Sequence, residues 1–83
     1  MSIEYEILRY IYKRGGELNY YQIEAKLTDD NFHSEVEKLG TILDGLVKGG
    51  CLTTHPFFDV LVYTITPGGV EYMSAEVNKR SRA

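Results

Sequence analysis

The segment SEVEKLGTILDGLVKGGCL occupies residues 34–52. Wound as one helix at about 3.6 residues per turn, it brings Phe32, Val36, Leu39, Gly40, Leu43, Leu46 and Val47 into a single stripe, the spacing of a helix that buries one face. Ser34, Lys38, Thr41, Gly45 and Lys48 then line the opposite side, with Glu35, Glu37 and Asp44 on the flanks. The outer strip is therefore expected to be small, hydroxylic and cationic, and free of carboxylates. Ser34 followed by Glu37 reads as a capping box that starts the helix. Gly49-Gly50 stops it, because glycine adopts the left-handed conformation of a helix end without steric cost.

Working outward in both directions, the remaining 64 residues of the 83-residue chain divide into short elements. Before the segment, Ile3, Ile7, Leu8, Tyr10 and Ile11 mark a first helix over about 2–14, with Lys13-Arg14 at its negative end and Gly15-Gly16 as its stop. Glu17-Leu18 is a brief extended piece expected to pair with a later hairpin. Asn19 and Gln22 form another capping box, opening a short second helix over about 20–27 with Ile23 and Leu27 inward. Thr28-Asp29-Asp30-Asn31 is a turn cluster, and Leu27 to Ser34 is a longer connection than a compact helix-turn-helix uses unless the third helix begins near Asn31 with Asp30 as its cap.

After Gly50 the period changes from helical to alternating. Residues 51–55 and 60–66 are two strand-forming runs, with His55-Pro56-Phe57-Phe58-Asp59 as the loop between them and Pro56 as the turn residue. Thr66-Pro67 reads as a helix cap followed by proline in the first helical position. Val70, Met73 and Val77 give the last helix a thin apolar stripe that fades near Asn78. The fold class expected is α+β, mainly α: a three-helix core, a β-hairpin and a C-terminal helix, as one domain over 1–83 with a short basic tail.

Composition narrows the function classes. Apolar content of 43% and charged content of 25% are those of a globular protein, and no run approaches the roughly 20 apolar residues of a membrane span. Neither a basic start nor an apolar block opens the sequence, so a cytoplasmic location is expected; the single cysteine, Cys51, forms no internal disulfide and agrees with a reducing compartment. The net charge of −3 conceals an asymmetry: with Lys79, Arg80 and Arg82 set aside, six bases face twelve acids, a net of −6. An acidic body opposes nonspecific DNA affinity, which comes from phosphate neutralisation.

Two segments carry a resemblance. Residues 43–52, LDGLVKGGCL, are similar to the end of the third helix and the start of the wing in the winged helix-turn-helix superfamily. Residues 63–73, YTITPGGVEYM, resemble that family's exit from the wing, where Thr-Pro-x-Gly opens the final helix. With the first helix the likeness covers nearly the whole chain, and it is closest in character to small prokaryotic and phage regulators. The resemblance implies a sequence-specific DNA-binding transcriptional regulator with its third helix in the major groove. Carried over, Ser34, Lys38, Thr41 and Lys48 face DNA and Gly45 permits close approach; the basic tail, Lys79, Arg80 and Arg82, is a separate candidate for phosphate contact. The implied partners are double-stranded DNA and a second copy, paired through the first and last helices.

The hairpin departs from the family pattern. Wings that grip DNA usually carry Arg or Lys, whereas this one presents His55, Phe57, Phe58 and Asp59, which suits a protein contact. The alternative function is accordingly an acidic winged helix interaction module, a phage-type inhibitor or a complex subunit, docking through Phe57 and Phe58. For each assignment a plainer reading stands beside it: a solvated helix face for the lysines, a frayed end for the tail, a ring folded over the core for one phenylalanine. Cys51, His55 and His33 lack the convergent spacing of a metal site, and the seven tyrosines sit mostly beside apolar stripes, as core-edge rings do. There is no phosphate-cradling glycine loop, nucleophile elbow or helical His pair. No enzyme activity, cofactor or metal is expected.

Overall fold

A computed structural model describes residues 2–81, with side chains through Asn78. Its elements are α1 (Ile3–Lys13), β1 (Glu17–Asn19), α2 (Tyr20–Asp29), α3 (His33–Glu37), α4 (Leu39–Lys48), β2 (Leu52–Phe57), β3 (Val60–Ile65) and α5 (Pro67–Ser81). The class is α+β, mostly helical, with one antiparallel sheet of order β1-β3-β2. No helix among the described residues is long and apolar enough to cross a membrane.

Three helices end in the same way. The C-terminal N–H groups turn back on the carbonyls of Ile11, Leu27 and Leu46, each at 2.9 Å, donated by Gly16, Phe32 and Cys51. Each stop needs one residue in the left-handed region, and Gly15, Asn31 and Gly50 occupy it with φ of 95°, 66° and 81°. The second stop places Phe32 one residue ahead of α3, so its carbonyl accepts from Glu35 and Val36. The connection from α2 to α3 is thus only Asp30, Asn31 and Phe32, shorter than the sequence suggested, because α2 runs two residues further than Leu27.

The same geometry overturns two expectations. Ser34 lies inside the first turn of α3, where its backbone is already helical, so the Ser34–Glu37 capping box does not form; the N-cap is Phe32, with no side-chain bond. Nor is the 34–48 segment one helix. Lys38, at φ −106° and ψ 9°, separates α3 from α4. Val36 and Gly40, both weak helix formers, flank the break. The expected Asn19–Gln22 capping box is present, with both bonds at 2.8–2.9 Å.

β3 is the central strand. Leu18 and Thr54 flank Tyr63 across the ladder, and Glu17 and Thr53 flank Thr64. The first strand of the hairpin runs further toward the turn than expected: Pro56 is not a turn residue but belongs to β2 and pairs with Leu61 of β3, leaving only Phe58 and Asp59 to make the reversal. Proline is tolerated there because β2 is an edge strand, where a missing N–H need not break a ladder.

Thr66 clasps the start of α5. Its Oγ1 accepts from the Gly69 N–H at 3.0 Å and donates to the Gly50 carbonyl at 2.5 Å, tying α5 to the end of α4. Gly68 and Gly69 are more than punctuation. A Cβ on Gly68 would stand 2.8 Å from the Gly50 carbonyl oxygen, and one on Gly69 would overlap the Cys51 carbonyl and sit 2.7 Å from Ile65 Cγ1. α5 continues three residues beyond the expected Asn78.

The core is built where the helices meet the inner face of the sheet. Ile7, Leu8, Ile11, Ile23, Leu27, Leu39, Leu43 and Leu52 are fully buried, with Leu18 and Tyr63 closing the sheet side. In the 34–48 stripe Leu39, Leu43 and Leu46 are buried as expected, whereas Gly40 is exposed and Ile42 takes the half-buried place.

Candidate nucleic-acid interface

The outer surface of α4 follows from which residues the core takes. With Leu39, Leu43 and Leu46 inward, Gly40, Thr41, Asp44, Gly45 and Lys48 are exposed. Lys38 at the helix break and Ser34 on α3 are exposed as well. None of the cations or hydroxyls assigned to this face is covered by the protein. The wheel that aligned Ser34 and Lys38 with Thr41 and Lys48 required one unbroken helix, however, and the break at Lys38 ends that register.

Asp44 flanks the strip. Four residues from Lys48, it lies only about 40° away around the helix. Its charge reaches the sheet: burial pushes the Tyr63 phenol up, a hydrogen bond with Thr54 opposes that, and Asp44 adds to the rise. Asp44 thus borders the strip on its flank, as expected, and is exposed there. On its other side α4 borders a groove of about 560 Å³, whose wall includes Thr41, Gly45 and Gly49 from α4, Glu4 from α1 and Tyr72 from α5. A Cβ on Gly45 would meet no atom within 4 Å, so a partner surface can approach the backbone there.

Charge is unevenly spread over the elements. Residues 17–61 carry eight carboxylates against three lysines, a net of −5, while the remaining residues carry six bases against four acids, a net of +2. The stretch from β1 through α4 and the hairpin is the acidic part. From Gly49 to Asn78 there is no lysine or arginine at all.

At the hairpin tip Phe57 and Phe58 are 61% and 87% exposed, so neither folds back over the core. Their rings meet edge to face, with centroids 4.7 Å apart at 84°. Phe58 occupies the left-handed region at φ 56°, a conformation that side chains bearing a Cβ adopt at a cost of about 1–2 kcal/mol. Leu61, also exposed, shares a shallow pocket with Tyr20, Tyr21 and Asp59 beside the tip. Sequence reading found the two rings but not the strain, because a five-residue loop was expected where the chain reverses in two.

No family model matches the chain, and neither does any curated protein.

The tail assignments fall at the edge of the structure. Lys79 and Arg80 lie on the backbone of α5, their side chains outside the described residues, as is all of Arg82. Among the described residues no three of His, Cys, Asp and Glu converge; Cys51 is half-buried and His33 and His55 are exposed.

One polar cluster went unread in the sequence. The Tyr10 hydroxyl donates to Asp30 Oδ2 across the α1–α2 interface, Lys26 Nζ lies 3.8 Å from Asp30 Oδ1, and the same ammonium sits 5.3 Å over the Tyr10 ring. Burial first, then the bond to Asp30, pushes the Tyr10 phenol well up from its ordinary value. Beside it, Tyr10 and Leu18 line a pocket of about 210 Å³ with Lys13, Arg14, Gln22 and Lys26 around them. From sequence alone Lys13-Arg14 complement the helix dipole; the fold also sets them on the rim of this pocket.

Proposed function

We propose that the chain is a winged helix DNA-binding regulator in which α2, α3 and α4 form the helix-turn-helix, α4 enters the major groove, the β2–β3 hairpin is the wing, and two copies pair through α1 and α5. The observation that carries this reading is the unobstructed exposure of Lys38, Thr41 and Lys48 on and beside α4, which follows α2 and the short α3. Lys38 and Lys48 bracket α4 ten residues apart, about 15 Å at 1.5 Å per residue. That is close to the roughly 12 Å width of the major groove, so the two ammonium groups suit phosphates on its two walls. Thr41, with Gly45 beside it, then lies between them, toward the base edges.

The acidity of residues 17–61 shapes what such binding looks like. Two lysines per protomer, four in the dimer, give a slope of log K against log salt of about −4, shallow beside the roughly −5 to −9 of proteins that make many phosphate contacts. Nonspecific affinity is low, and recognition depends on site-specific contacts and on dimerisation. Anisotropy titrations with duplex DNA at several salt concentrations test this. Binding that weakens with salt and is reduced about tenfold or more by Lys38→Ala with Lys48→Ala supports the proposal; absence of binding at low salt, or equal binding by the double variant, overturns it.

A second reading rests on the wing. Two exposed phenylalanines at a tip without a lysine or arginine favour a protein contact over a phosphate contact, so an acidic winged helix module docking on another protein is the alternative. It predicts that partner capture is lost in the Phe57→Ser, Phe58→Ser variant while the DNA titration shows nothing.

A further inference from the structure

We propose that the hairpin tip of one copy seats in the Tyr10–Leu18 pocket of another, a head-to-tail contact between copies of this chain. The inference rests on the tip being a protein contact, and it is independent of whether α4 binds DNA.

The tip and the pocket are opposites in shape and charge. The tip projects an apolar ring, Phe58, with a carboxylate, Asp59, one residue on and no lysine or arginine within its two strands. The pocket offers an apolar floor, Tyr10 and Leu18, and a rim of Lys13, Arg14 and Lys26. Asp30 already engages Lys26, so Lys13 and Arg14, both exposed, are the cations available to Asp59. The volume of about 210 Å³ suits a single ring, since a cavity of roughly 150 Å³ holds a benzene molecule. Anionic surfaces such as DNA or acidic lipid are poor occupants for the tip, because Asp59 meets them first.

A tip cannot reach the pocket of its own chain. Gly16, next to the pocket, accepts the Ile65 N–H at the base of β3, and the tip begins at Val60, about 17 Å further along the strand. The partner must be another molecule. Because tip and pocket are different surfaces, a single such contact is heterologous and leaves one tip and one pocket open.

Phe58 itself argues that the ring is wanted. Left-handed positions at tight reversals are normally filled by glycine or asparagine, as Gly15, Asn31 and Gly50 do here. A side chain that is 87% exposed gains almost nothing from the fold in return for that strain.

Sedimentation of the full chain over a concentration series at low and high salt tests the contact. The wild type should show a salt-sensitive rise in mass, with a Kd on the order of 10⁻⁴ M for so small an interface. Phe58→Asn should weaken it about tenfold or more, and so should Lys13→Glu with Arg14→Glu. Mixing these two variants is the decisive arm, because one keeps an intact pocket and the other an intact tip: a 1:1 complex should return. Should the charge reversal unfold the chain, Lys13→Gln with Arg14→Gln replaces it. A wild type whose mass does not change with salt, a Phe58→Asn variant that associates as before, or a mixture that stays apart would each overturn the proposal. A symmetric dimer through α1 and α5 would be untouched by Phe58→Asn and is thereby distinguished, and the DNA titration reads α4 separately.

Discussion

The ends of α1, α2 and α4 and the apex of the β2–β3 hairpin make the same demand on the backbone, a residue with φ between about 56° and 95°, and they meet it in opposite ways. At the helix ends the demand falls on Gly15, Asn31 and Gly50, which tolerate it, and the following N–H groups are all paired. At the hairpin it falls on Phe58, which does not, and whose side chain stands in solvent. The junctions are places where sequence and backbone agree and the neighbouring elements lock together. The tip is a place where they disagree and only the edge-to-face contact with Phe57 offsets the strain inside the fold, the pattern associated with functional surfaces.

The largest effect should come from the junction at the end of α4. Gly50 turns left-handed, Thr66 reaches back to its carbonyl, and the start of α5 rests on Gly50 and Cys51 with only hydrogens at Gly68 and Gly69. Gly69→Ala puts a methyl group into the Cys51 carbonyl and the Ile65 side chain, and a carbonyl fixed in a helix stop cannot step aside as a flexible side chain would. The expected loss is about 3 kcal/mol, measured by urea unfolding. A loss below roughly 0.5 kcal/mol would mean that the α4–β2–α5 junction is looser than its hydrogen bonds imply.

The junction between α2 and α3 can be read through pH. Next to Asn31, Asp30 accepts from the buried Tyr10 hydroxyl, which fastens this turn to α1. Folding raises the Tyr10 phenol above the ordinary value of 10.0. A raised pKa means that the stabilisation is complete below the unfolded value and disappears as pH climbs from there toward the folded value. The wild type should therefore lose stability above about pH 10 more steeply than Tyr10→Phe, which should itself cost about 1 kcal/mol at neutral pH. Parallel pH profiles for the two proteins would show that the phenol does not anchor the turn.

Those junctions were largely readable from sequence, and the reason is local. Gly-Gly pairs after a helical stripe, Asn19 three residues before Gln22 and Thr66 before Pro67 encode their conformations within a few residues, and each appears where expected. What escaped depends on distant partners. The start of α3 was misplaced because Ser34 with Glu37 is a good capping box in isolation, while the stop of α2 commits Phe32 to that role. The crowding at Gly69 exists only because Cys51 packs against it, and the Tyr10–Asp30 bond joins residues 20 apart. The candidate interface was half legible: periodicity exposed Lys38, Thr41 and Lys48 and set Asp44 on the flank correctly, but the break at Lys38 follows from packing.

The smallest effect on stability is the one that tests the comparison most directly. Phe58→Asn keeps a left-handed residue at the hairpin apex but supplies a side chain that accepts that conformation, as Asn31 does at the end of α2. The relief of about 1 kcal/mol is partly offset by loss of the edge-to-face contact with Phe57, worth about 0.5 kcal/mol at so exposed a site. A net gain of about 0.5 kcal/mol in chemical denaturation follows, together with the loss of self-association. That pairing of opposite signs separates the two regions. At a junction, every substitution that removes a fitted residue weakens the fold. At the tip, removing Phe58 should strengthen it and cost only the contact, and a variant less stable than the wild type would return Phe58 to the ranks of ordinary structural residues.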